Sequence, residues 1–80
     1  MNNIIIISQD KEKVMNYKNI SCLYVKEPYT DTGEWKIVAV DNGDHVFSLG
    51  SYPRGRCFQI LEEITDKIIR EVNRIEMPER

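Results

Sequence analysis

The sequence is short of the residues that most enzyme chemistry needs. It has one histidine and two cysteines in eighty residues. A hydrolytic triad requires a base, and His45 alone could serve, yet it directly follows a turn signal and no set of catalytic or ligating partners is grouped around it. Cys22 and Cys57 lack the CxxC spacing of a zinc or redox motif and sit in apolar runs, where a free thiol behaves as a small buried hydrophobe. Nothing suggests secretion, so a Cys22–Cys57 disulfide is not expected. There is neither a GxGxxG nor a Walker sequence. Asp41-Asn42-Gly43-Asp44 superficially resembles a calcium loop, but it has neither alternating ligands nor a closing bidentate glutamate. Glu62 and Glu63 are adjacent on a helical segment and point apart, so they are no working carboxylate pair. The expectation is a protein that is not an enzyme and holds no metal or cofactor.

Long hydrophobic runs are missing too. Ile4-Ile5-Ile6-Ile7 is too short for a signal-peptide core, has no basic flank, and meets Gln9-Asp10-Lys11 at once. No stretch approaches the roughly 20 apolar residues of a membrane span. Neither sign of charge dominates: the formal charge is −2. A general nucleic-acid binder usually carries a basic excess on one face, so that partner class is disfavoured. A cytoplasmic protein with no membrane contact is expected.

What is present is a set of β signals and then one helical signal, which predicts a single α+β domain over residues 1–80. The predicted architecture is an antiparallel β-meander of four to five strands closed by one long C-terminal amphipathic helix packed on the sheet. Ile4 to Ser8 is apolar on both faces, as a central strand would be. Lys13–Tyr17 and Ile20–Lys26 are further strands. In the latter, Ile20, Cys22 and Tyr24 share one face, and Leu23 and Val25 the other. Glu27-Pro28 ends that strand. Trp35–Val40 is the clearest strand, and Asn42-Gly43 predicts a type I′ hairpin turn into His45–Leu49. Pro53 suits a first helical turn, although Gly55 could delay the start to Arg56. Cys57, Leu61, Ile64, Ile68, Val72 and Ile75 recur at steps of three and four, widened by Phe58, Ile60 and Ile69. Met77-Pro78 ends the helix.

Two features point to binding. Arg54 and Arg56 stand at the expected helix N-terminus, where free N–H groups and the helix dipole favour an anion. Trp35, Tyr24, Tyr29, Tyr52 and Phe47 could make a stacking surface, but only Lys26 and Lys36 lie near them, and packing is the better reading. A helix reaching Ile75 would span roughly 30 Å, whereas strands of five to seven residues reach about 17–23 Å. One helix end should then overhang its sheet, with Ile68, Val72 and Ile75 forming an exposed apolar stripe for self-association as a homodimer.

Ser8-Gln9-Asp10, Leu49-Gly50-Ser51-Tyr52 leading into Arg56-Cys57, Ile60-Leu61-Glu62-Glu63-Ile64, and Met77-Pro78 resemble a pattern of short uncharacterised proteins of Gram-positive bacteria and their prophages. In that group an SQD strand end precedes LGxY, a helix reading roughly RAxxVLxEI, and a terminal MP. Pro53-Arg54-Gly55 departs from it, standing where a Ser/Thr-plus-acid helix start belongs. The resemblance implies a cytoplasmic location and a prophage origin, and supplies no site residues. The reading is a small non-enzymatic interaction module that self-associates. Two alternatives are a nucleic-acid-associated accessory protein using Arg54 and Arg56, and a phage-borne inhibitor of a host protein.

Overall fold

A computed structural model describes residues 3–80. Six strands and one helix come in the order β1 (Ile5–Ile7), β2 (Val14–Asn16), β3 (Ile20–Lys26), β4 (Trp35–Asp41), β5 (Val46–Tyr52), α1 (Arg54–Ile69) and β6 (Arg74–Glu76), with a 3₁₀ turn over Tyr17–Asn19. The class is α+β as expected, but the strands form two sheets of three rather than one meander, ordered β2-β1-β6 and β3-β4-β5. β1 is central, as its two-faced apolar sequence requires: it pairs antiparallel with β2 and parallel with β6.

The second sheet is the meander proper. β3 pairs with β4 and β4 with β5, both antiparallel. A register shift between Ile20 and Cys22 corrects the face assignment in β3. One extra residue in a strand turns every later side chain to the other face. Ile20, Leu23 and Val25 therefore all pack toward the core, while Cys22 and Tyr24 are exposed. Cys22 is thus not a buried hydrophobe; Cys57 is, and both thiols are free.

The β4–β5 hairpin lies where Asn42-Gly43 signals it, with a different turn. Gly43 does not have positive φ; Asp44 does, at 64°. Asp44 N–H donates to the Asp41 carbonyl at 3.1 Å and Asp41 N–H to the His45 carbonyl at 3.0 Å. The Asp41 carboxylate also accepts from the Gly43 and His45 amides, at 2.8 and 2.9 Å. This is the three-residue loop that ends in a left-handed position, fixed by a side chain imitating a backbone acceptor.

The helix begins at Arg54, directly after Pro53, and ends at Ile69, well short of Ile75. The stop is a Schellman closure: Glu71 N–H donates to the Ile68 carbonyl and Val72 N–H to the Lys67 carbonyl, both at 3.0 Å. Glu71 takes the left-handed conformation, φ 57°, that glycine usually fills. With no glycine to mark the stop, and with Val72 and Ile75 continuing the helical spacing, the sequence reads as one longer helix. Instead the chain turns, Asn73 accepts from Ile5 N–H, and Ile75 enters the core as the middle of β6, 1% exposed. Among the described residues there is no overhanging stripe. The buried helix face is Cys57, Ile60 and Ile64, with Ile68 packed against them, so Ile60 rather than Leu61 occupies its centre.

The core joins three parts: Ile4, Ile6, Ile75 and Met77 from the first sheet region, Ile37, Ala39, Leu49 and Tyr52 from the second, and the helix. Backbone and side-chain hydrogen bonds fasten them at Gln9. Its N–H donates to the Leu49 carbonyl at 2.7 Å. Its side-chain oxygen accepts from Ser51 N–H at 2.8 Å, and its amide nitrogen donates to the Ser51 carbonyl at 3.3 Å and the Glu79 carbonyl at 2.7 Å. Gln9 thus pairs with β5 as a neighbouring strand would. β5 bulges there, Ile37 facing Gly50 and Val38 facing Ser48. A side chain on Gly50 would place its Cβ 2.8 Å from the Tyr52 ring and 2.9 Å from the Gln9 Cβ. Tyr52 in turn donates its hydroxyl to the Pro78 carbonyl at 2.5 Å, and buried Cys57 donates to the Tyr52 carbonyl at 3.5 Å. Burial pushes the Tyr52 phenol up to about 12 and raises the Cys57 thiol. Before this junction, buried Ser8 accepts from Lys13 N–H at 3.1 Å and donates to Asp10, closing the β1–β2 turn.

Gly50→Ala should cost about 1–3 kcal/mol, because Tyr52 or Gln9 must give way; a urea midpoint equal to wild type would contradict the junction. Glu71→Gly should stabilise by about 0.5–1 kcal/mol through relief of the left-handed residue, less the added unfolded-state entropy; a lowered midpoint would contradict the helix end.

Candidate functional site

Arg54 and Arg56 both lie in the first turn of α1, but they are not brought together on one ligand. Arg56 is half-buried and turned inward: its Nε donates to the Arg80 carbonyl at 3.1 Å and one terminal nitrogen to Gln59 at 2.8 Å, with Glu63 at 3.5 Å. It ties the C-terminus to the helix. Arg54 is exposed and stacks its guanidinium over two rings, 5.5 Å from the centre of Trp35 and 5.6 Å from that of Phe58. These rings lie 6.4 Å apart, tilted by 56°. The helix start has no side-chain cap and no acidic residue in its first turn.

The placement comes from local sequence. Trp35 opens β4 opposite Tyr52, the last residue of β5. Pro53 then turns the chain at once into α1, setting Arg54 beside the start of β4 and Phe58 one turn further on. Phe58 remains 47% exposed. From it an exposed groove runs along the helix past Leu61, Glu62 and Thr65 to Ile69, which is 74% exposed. Spacing of three, four and four residues keeps these side chains on one helical face, next to the buried one. The pattern is present in the sequence, where Phe58 and Ile69 widen the apolar stripe, but periodicity alone does not say which flank faces solvent.

The other residues singled out from sequence are dispersed. Ile68 packs against the core and lines a second groove, Val72 comes after the helix stop, and Ile75 is buried. Of the aromatics, Tyr52 is core, Tyr29 is 93% exposed with the Lys26 ammonium 5.3 Å from its ring, and Phe47 lies against His45. His45 reaches back to Asp41 with Nδ1 3.1 Å from Oδ2, bracing the turn. Among the described residues, no three His, Cys, Asp or Glu side chains gather as metal ligands, and no helix is long and apolar enough to cross a membrane.

Carboxylates brace the turns and strand ends around these surfaces. The Ser8 hydroxyl, then the Glu12 amide, hold Asp10 below the ordinary carboxylate range. The His45 amide, then Gly43, do so for Asp41, and the neighbouring Arg74 for Glu76.

Comparison with protein-family models, with curated proteins and with solved structures found no match.

The lowered carboxylates set an expected pH response. A folded-state value below the unfolded one stabilises above the ordinary range near 4, and that contribution disappears as pH falls through the folded value. Stability should therefore fall on acidification below about pH 4. Asp41→Asn should be less stable than wild type at neutral pH and converge with it in acid. Parallel stability curves for the two proteins across that window would contradict the role of Asp41.

Proposed function

We propose that the protein is a non-enzymatic interaction module of bacterial or prophage origin that docks a protein partner through the Trp35–Arg54–Phe58 surface. The observation that carries this reading is the double stacking of the Arg54 guanidinium over Trp35 and Phe58. Arginine, tryptophan and other aromatics are the side chains on which binding energy concentrates at protein interfaces. Here a long side chain that would ordinarily lose rotamer freedom on binding is already held by two rings, which lowers the cost of docking. The uncapped helix N-terminus lies beside it and favours an acidic residue in the partner. An exposed arginine held only for its own sake would contribute little, since cation–π contacts at exposed sites contribute about 0.5–1 kcal/mol.

The test is affinity capture from a bacterial lysate with wild type and with Arg54→Glu and Phe58→Ser, each checked for an unchanged circular dichroism spectrum. A protein retained by wild type and lost with both variants is expected. Retention of the same proteins by all three, or of nucleic acid in place of protein, would contradict the proposal.

A further inference from the structure

We propose that Asn42-Gly43 is a latent self-modification site: Asn42 deamidates through a cyclic imide once the bond between Asp41 and the Gly43 amide opens, and the product unpins the tip of the β4–β5 hairpin. Asparagine is chemically labile, most of all before glycine, where no side chain shields the next amide nitrogen. Both residues are exposed at the hairpin tip, so water has access to the imide.

The reaction needs no co-reactant but water. The Gly43 amide loses its proton, and its nitrogen attacks Cγ of Asn42. The new N–Cγ bond closes a five-membered ring, the Cγ–Nδ2 bond breaks, and the side-chain nitrogen leaves as ammonia with the proton from Gly43. Water then opens the ring. Cleavage at Cγ leaves an aspartate on a normal backbone. Cleavage at the main-chain carbonyl leaves an isoaspartate, with the side-chain carbons now part of the backbone. Either product has a carboxylate where a carboxamide stood, and nothing is oxidised or reduced.

The folded turn holds this step back in two ways. Gly43 N–H donates to the Asp41 carboxylate at 2.8 Å. Removing that proton in place would set an amide anion against a carboxylate, two like charges in contact. Attack therefore waits for that bond to open, and the His45 N–H and Nδ1 hold the same carboxylate at 2.9 and 3.1 Å. The Asn42 side chain is also directed elsewhere. Its Nδ2 donates to the Lys18 carbonyl at 3.3 Å, and Asn42 N–H donates to the Asn19 carbonyl at 2.9 Å. The attacking geometry has to be assembled from a side chain already bonded away from Gly43.

The same contacts give the modification a consequence. Through Asn42 the hairpin tip is fastened to the 3₁₀ turn over Tyr17–Asn19. Deamidation puts an acceptor where a donor faced the Lys18 carbonyl, and it adds a carboxylate between Asp41 and Asp44. Opposed acceptors and added like charge both weaken the attachment.

The test incubates the full chain at mildly alkaline pH and follows residues 42 and 43 by peptide mass spectrometry for conversion of amide to acid. Asn42 should react ahead of every other asparagine, and at least tenfold more slowly in the folded protein than in the same chain unfolded in guanidinium chloride. Asp41→Ala should recover most of that factor. Asp41→Asn, which keeps an acceptor without its charge, should react at a rate between wild type and Asp41→Ala, so the gate is tested even where the alanine variant loses its fold. Asn42→Asp, which carries the product's side chain on a normal backbone, should melt below wild type. Equal rates in the folded and unfolded chain, faster reaction at another asparagine, an Asp41→Asn rate equal to that of wild type, or an Asn42→Asp variant as stable as wild type would overturn the proposal.

Discussion

The structure depends on one side chain behaving as a piece of backbone. Gln9 presents a carbonyl oxygen and an amide nitrogen to Ser51 as a neighbouring strand would, while its own N–H holds the Leu49 carbonyl and its amide also reaches Glu79. Three chain segments meet here: the end of β1, the bulge of β5 and the C-terminal tail. Unpaired buried backbone groups cost about as much as a lost hydrogen bond each. The bulge and Gly50 exist in the same small space because Gln9 and Tyr52 both pack onto the glycine. A chain of this length has a small core, and a junction that satisfies several polar groups at once lets two three-stranded sheets share it.

The same junction decides which surfaces remain open. It occupies the β5 edge and, through Tyr52 and Pro78, draws the tail across the start of α1, where Arg56 bonds Arg80. Surfaces left exposed include the opposite edge, β3, and the helix flank carrying Phe58 and Ile69. Arg54 is free to stack on Trp35 and Phe58 because Arg56 takes the tail. Two arginines that look equivalent in the sequence therefore have different work: one is structural and the other faces outward.

Much of this is legible in the sequence where the cause is local. The β3–β4–β5 meander, the central character of β1 and the helix start after Pro53 all rest on short-range signals: β-branched alternation, Asn-Gly and a proline at the first turn. The misreadings share a different cause. β6 is a parallel partner of β1 from the other end of the chain, and no local pattern marks such a pairing. Its residues continue the helical spacing, and the helix stop uses Glu71 where a glycine would have announced it. Gln9 looks like an ordinary turn residue, although the fragments Ser8-Gln9-Asp10, Leu49-Gly50-Ser51-Tyr52 and Met77-Pro78 are the ones that meet in space. The candidate site is half legible: Arg54 stands out for anion binding, but its aromatic partners come from β4 and from the next helical turn. Only the fold shows that Trp35 and Phe58 flank it.

Gln9 closes one edge of the second sheet, and the other, β3, carries no neighbouring strand among the described residues. Residue-resolved hydrogen exchange of the wild-type protein at low and high concentration tests it directly. The Ser51 amide, bonded to the Gln9 side chain, should be among the most protected at both concentrations. The β3 amides that β4 does not bond should exchange fast. Rapid exchange at Ser51, or protection of those β3 amides equal to that of Ser51, would contradict this arrangement.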